Sequence, residues 1–235
     1  MTRPSVGTDE ATPIRGWEMK QHLQLFEACH RAQRTISAFG SVVELGTYQG
    51  STFIPLIRTK RAGEKALAID PFERGMDEGI DYGIGNEAIL RANLERLCPG
   101  LPDVEIWARF SNDVTVSGLL DHVGRVRTFH IDGERSATSV RHALELADGT
   151  LAPRGVVLLD DFLNEGWPGV SEGAFNFFNS SDGLTPFALI KCKLALCRAE
   201  FYAPYFFEAK AAIDGMELDQ SKTVTLLGCN IVMGR

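Results

Sequence analysis

The chain has 235 residues, of which 44% are apolar and 23% charged, with a formal net charge of −7. That is ordinary for a soluble globular protein able to bury a substantial core. The acidic balance excludes a nucleic-acid backbone as the main partner, and no apolar run approaches the ~18 residues of a membrane span, so no membrane partner is expected.

The first 15 residues are polar, rich in Thr, Pro and Gly, and lack the apolar centre of a signal peptide; they are expected to be a flexible N-terminus. Five cysteines, Cys29, Cys98, Cys192, Cys197 and Cys229, are scattered without a CxxC pair. A thiol zinc site and a disulfide framework are both disfavoured, and a reduced, cytoplasmic protein is expected.

Between residues 17 and 39, Leu23, Phe26, Ala28, Ala32 and Ile36 recur at helical spacing. SVVEL (41–45) then predicts a strand and STFIPLIRTK (51–60) a helix, which Pro55 requires to start near Ser51 or Thr52. The alternation continues with strands at 65–70, 103–108, 127–132 and 155–160. Helices are expected at 87–97, 112–123, 136–147 and 169–180. Five β-then-α units imply a mostly parallel, doubly wound α/β sheet with right-handed crossovers. FALIKCKLALC (187–197) and TVTLLGCNIVM (223–233) read as two further strands around a helix at 199–212, including an antiparallel edge pair. The expectation is one domain over 16–235, a seven-stranded Rossmann-like sheet with an N-terminal helical extension.

In open α/β sheets, ligands bind outside the carboxyl ends of the strands. Here those ends carry Glu44 and the turn Gly46-Thr47-Tyr48-Gln49-Gly50, then Asp70, Ser111-Asn112-Asp113, Asp132-Gly133-Glu134-Arg135 and Asp160-Asp161. Two glycines four apart permit a tight turn and close approach of a ligand. Asp70, twenty residues on, is suited to accept hydrogen bonds from two ribose hydroxyls. The alternative is a structural turn followed by a solvated acid. Asp160 and Asp161, adjacent at the end of VVLL, repel each other and call for a positive charge.

VVELGTYQGSTF, ALAIDPF, FHIDGERS and GVVLLDDF, in this order and spacing, resemble class I S-adenosylmethionine-dependent methyltransferases over roughly residues 40–175. More narrowly the chain resembles small-molecule O-methyltransferases of the macrocin type and their cephalosporin-hydroxylase-like relatives, a likeness shared by WPGV (167–170) and by Lys193-Leu194. The ELGTYQG turn is also similar to that of catechol O-methyltransferases. The resemblance implies that Glu44, Gly46 and Gly50 approach the methionine part of S-adenosylmethionine with Tyr48 nearby. It implies too that Asp70 holds the ribose, that Arg109 to Ser111 lie near the adenine, and that Asp132, Asp160 and Asp161 hold one divalent cation.

Three carboxylates without a His or Cys partner form a hard oxygen site suited to Mg²⁺, Ca²⁺ or Mn²⁺. A cation holding a hydroxyl lowers its pKa and orients it for methyl transfer. The structural alternative is that Asp160 caps its turn and Asp161 is solvated or caps a helix. An acid at position 134 serves as base in the macrocin-like pattern. Arg135 stands where that family often has His, leaving Glu134 as the catalytic candidate, with Arg135 free to bind an anion or pair with a carboxylate. His130 reads as a packed, hydrogen-bonded strand residue.

The glycine-rich 73–87 segment reads as a solvated loop or a lid over the site. FYAPYFFEA (201–209) reads as core or subunit interface. The expected activity is metal-assisted O-methylation of a small hydroxylated acceptor, such as a sugar or natural-product intermediate. Alternatives are a metal-independent methyltransferase, an NAD(P) oxidoreductase lacking the usual G-x-G-x-x-G, and a non-enzymatic cofactor-binding module. Oligomeric state is open, a homo-oligomer included.

Overall fold

The computed structural model describes residues 14, 16, 20–72 and 85–235. The expected flexible N-terminus, apart from residue 14, and most of the glycine-rich 73–87 segment lie outside the described residues.

Among the described residues, sixteen α-helices and strands follow in chain order: α1 (Lys20–Thr35), β1 (Ser41–Leu45), α2 (Phe53–Ile57), β2 (Ala66–Asp70), α3 (Glu87–Leu97), β3 (Val104–Ala108), α4 (Val116–Val123), β4 (Val126–Ile131), α5 (Ala137–Thr150), β5 (Leu151–Leu159), α6 (Pro168–Phe178), β6 (Thr185–Ile190), β7 (Lys193–Cys197), α7 (Tyr202–Asp214), β8 (Ser221–Leu226) and β9 (Cys229–Gly234). Local chemistry sets several boundaries. Asn86, Thr115 and Ser136 each cap a helix by accepting a backbone N–H in its first turn. Pro55 sits in the first turn of α2 and Pro168 opens α6, where a missing N–H costs nothing.

The strands form one sheet in the order β3-β2-β1-β4-β5-β7-β6-β9-β8. The first five are parallel, and β7 lies antiparallel between β5 and β6. The fold class is as expected, but among the described residues the strands number nine rather than seven. Each of the two long C-terminal stretches is a hairpin. The first turns at Lys191 and the second at Leu227-Gly228, all in the left-handed region. The expected 51–60 helix is shorter, five residues.

Alternate residues of the central strands feed two cores. Val43, Leu45, Phe129, Ile131, Val157 and Leu159 pack under α4, α5 and α6. Val42, Ala68, Val156, Leu158 and Ala195 pack under α1 and α7. Among the described residues, no helix is long and apolar enough to cross a membrane.

Candidate active site

The ladder register builds the site. Leu45 lies beside Ile131, Ile131 beside Leu159, and Leu159 beside Leu194. The next residues out are therefore Gly46, Asp132 and Asp160, and β7, running the other way, starts there with Lys193. Asp132, Gly133, Glu134, Arg135, Asp160 and Asp161 line one small cavity, with Ile131, Leu159 and Val170 beneath.

The glycine turn closes directly onto the backbone of Asp132 and Gly133. Gly46 has φ +80°, and a Cβ there would stand 2.0 Å from the Asp132 carbonyl oxygen. Tyr48 at φ 51° and Gly50 at φ +91° complete a turn with three positive φ values in five residues, the strain typical of functional loops. Asp70 is buried, and its carboxylate accepts the Tyr48 N–H at 2.8 Å and the Phe72 N–H at 2.7 Å. Ser111 opens a short 3₁₀ turn, and Arg109 just before it lies over the Trp107 ring at 4.2 Å.

A line of polar groups runs beneath the cavity through the core under α1 and α7. Lys193, fully buried, donates to Asp160 Oδ2 at 2.8 Å and lies 2.8 Å from His130 Nε2. His130 Nδ1 lies 2.7 Å from Glu44 Oε1. An ammonium only donates, so Nε2 is the acceptor and Nδ1–H donates to Glu44. Burial, reinforced by the Lys193 charge, holds His130 well below the usual histidine range and hence neutral. Phe26 of α1 covers both, meeting the His130 ring edge-on at 5.6 Å and Lys193 Nζ at 4.9 Å. Burial alone would raise Asp160, yet Lys193 beside it holds the carboxyl below the ordinary range.

A second cation sits at the rim. Arg135 Nε donates to Asp161 Oδ2 at 2.6 Å and Nη2 to Asp132 Oδ1 at 3.4 Å, with the guanidinium 5.0 Å from the Trp167 ring. Asp161 adopts φ 58°, and its other oxygen accepts from Asn164 at 2.8 Å. Asp132 is pushed well above the carboxylate range by burial and by the Asp160 charge, which Lys193 and Arg135 do not offset. Glu134 is exposed and accepts from Ser139 Oγ at 2.7 Å and Asn112 Nδ2 at 3.3 Å.

The sequence-predicted acids thus meet in one cavity, though unequally. Donor atoms of His130, Asp132 and Asp160 lie within 4.8 Å of one another, but His130 Nε2 is taken by Lys193. Asp161 stands across Arg135. The remaining carboxylate oxygens are hard donors, and three acids face two cations, so the residues fit a divalent cation. Sequence reasoning missed the roles of Lys193 and Asn112, which only long-range register and loop packing bring to the site.

The family model described as "Methyltransferase domain" matches residues 43–162, a little over half of the chain. The chain belongs to this methyltransferase family. It is an S-adenosylmethionine-dependent enzyme of class I, which sets aside the nicotinamide-oxidoreductase and non-enzymatic readings. No curated protein sequence matches it. Among solved structures, the O-methyltransferase NovP superposes on the methyltransferase with a TM-score of 0.61 at 14% identity, covering 76% of this chain and 79% of NovP. CalS11, a TDP-rhamnose 3′-O-methyltransferase of calicheamicin biosynthesis, gives 0.57 at 16%, covering 76% and 79%. An O-methyltransferase from Bacillus cereus in complex with SAH gives 0.56 at 15%, covering 78% and 83%. At these identities the likeness is one of fold.

Proposed function

We propose that the enzyme transfers the methyl group of S-adenosylmethionine to a hydroxyl of a small acceptor, a sugar or natural-product intermediate. The observation that carries this reading is the Gly46 turn set against the Asp132 backbone, next to the small cavity that Asp132, Glu134, Asp160 and Asp161 line. The fold-level likeness to O-methyltransferases, one of them named for a nucleotide sugar, supports it.

Gly46 and Gly50, with Glu44 behind them and Tyr48 beside them, present the methionine half of the cofactor. Asp70 takes the ribose hydroxyls and Ser111 borders the adenine. Glu134, oriented by donors from Ser139 and Asn112, takes the acceptor's proton. The acceptor oxygen bonds to the methyl carbon as its bond to sulfur breaks, leaving S-adenosylhomocysteine. Asp132, Asp160 and Asp161 would hold a hard divalent cation such as Mg²⁺, which when bound lowers the pKa of the acceptor hydroxyl. A metal-independent variant is favoured by one observation: Arg135 and Lys193 already pair with these acids.

The test is incubation with S-adenosylmethionine and a panel of sugars, nucleotide sugars and phenols, scored by mass spectrometry with and without chelator. Metal-dependent methylated product supports the full reading, and chelator-resistant product selects the variant. Binding of S-adenosylhomocysteine with no methylation across the panel counts against it.

A further inference from the structure

The two cations at the carboxylates are held in different ways. Lys193 is fully buried, emerges from a strand, and is fixed by His130 on one side and Asp160 on the other. It can leave only if the sheet opens. Arg135 follows β4 in a loop, is 22% exposed, and touches Asp132 at only 3.4 Å. Its guanidinium bridges Asp132 and Asp161, the two carboxylates that a cation shared with Asp160 would need. Trp167 offers it an aromatic face at 5.0 Å that does not depend on either acid.

Resting on the metal-assisted reading above, we propose that Arg135 is an exchangeable internal counter-cation that competes with the divalent ion for Asp132 and Asp161. Lys193 is the permanent partner of Asp160. When a divalent ion takes Asp132 and Asp161, Arg135 gives them up and stays at the rim against Trp167. Asp132 and Asp161 are then never left uncompensated, and metal affinity is set by an exchange of cations rather than by the acids alone. Removing the arginine removes both the competing ion pairs and the repulsion of a charge about 6 Å from a dication, which is worth about tenfold in affinity even at the dielectric of water.

The experiment titrates Mn²⁺ into chelator-treated full-length protein, reading free Mn²⁺ by electron paramagnetic resonance. Wild type is compared with Arg135→Gln, Arg135→Lys and Asp160→Asn. Binding of S-adenosylhomocysteine serves as the check that each variant is folded. The expected result is Mn²⁺ affinity at least about tenfold tighter in Arg135→Gln, within a few-fold of wild type in Arg135→Lys, and lost in Asp160→Asn. Equal or weaker affinity in Arg135→Gln, with binding still lost in Asp160→Asn, overturns the exchange while leaving the metal reading intact. Absence of Mn²⁺ binding in wild type and Arg135→Gln alike, with S-adenosylhomocysteine still bound, overturns the metal reading and the exchange together.

Discussion

Lys193 Nζ lies 2.8 Å from Asp160 Oδ2, an ion pair in which the lysine side chain has no exposure to water. Removing one partner of such a pair leaves the other charge uncompensated, and that costs more than the pair itself contributes. Lys193→Met is expected to lower unfolding free energy by about 3–5 kcal/mol, read by chemical denaturation. The double variant with Asp160→Asn should recover part of the loss. Equal losses in the single and double variants would show that the stranded Asp160 charge is not the source of the loss, leaving the missing donor to His130 Nε2 as its cause.

A second buried pair lies away from the site. Arg127 donates to Glu64 through Nε at 2.8 Å and Nη2 at 3.0 Å, and to Gln33 Oε1 at 2.6 Å. Burial pushes the Glu64 carboxyl up, but hydrogen bonds and charge from Arg127 outweigh this and hold it below 4.5. A depressed carboxyl stabilises the fold above its unfolded pKa, and that contribution is lost as pH falls through the folded value. His30 adds to the same trend, since burial and the nearby Arg127 charge hold it at about 4 against an ordinary 6.5. Unfolding free energy should therefore fall on acidification, first from pH 6.5 towards 4 through His30 and then below 4.5 through Glu64. In Glu64→Gln the second component should be absent, while stability at neutral pH drops by about 3–5 kcal/mol because Arg127 stays buried without its carboxylate.

Gly46 tolerates no side chain. At φ +80° a Cβ would lie 2.0 Å from the Asp132 carbonyl oxygen. Gly46→Ala must move either the turn or the strand end beside it, at a cost of at least about 1–3 kcal/mol. If the turn borders the cofactor as proposed, S-adenosylhomocysteine affinity by calorimetry should fall with stability. Unchanged affinity would place the cofactor elsewhere.

Asp70 serves two backbone donors, Tyr48 N–H and Phe72 N–H. In Asp70→Asn one of those donors meets an amide NH₂ instead of an oxygen, and the charge proposed to attract ribose hydroxyls is gone. The expected loss of S-adenosylhomocysteine affinity is at least about tenfold, the value of one charged hydrogen bond. Binding of homocysteine-lacking adenosine should weaken in parallel if Asp70 acts on the ribose.

The parallel half of the sheet was legible because its strands are short, apolar and followed by helix caps such as Asn86 and Ser136. Lys193 was visible as a residue but not as a partner of Asp160, since only the antiparallel register of β7 against β5 joins positions 33 apart. The extra strands escaped for a local reason. Lys191-Cys192 turns between two strands buried from Pro186 to Cys197 on either side of it, without Gly, Pro or Asn in the turn, so residues 187–197 read as one run. The pairing of Arg135 with a carboxylate was one of two readings its position allowed, and geometry alone distinguishes them.

The reversal of β7 has a consequence for how such a site can change. A parallel strand reaches the ligand-binding rim with its last residue and hands over to a loop, so whatever chemistry follows is as replaceable as the loop. A strand running the other way begins at that rim, and its first residue, Lys193, is seated by the ladder itself. Remodelling the segment after β5 for a different acceptor would exchange Trp167 and its loop neighbours freely. The lysine would be inherited unaltered, as part of the chassis rather than of the tool.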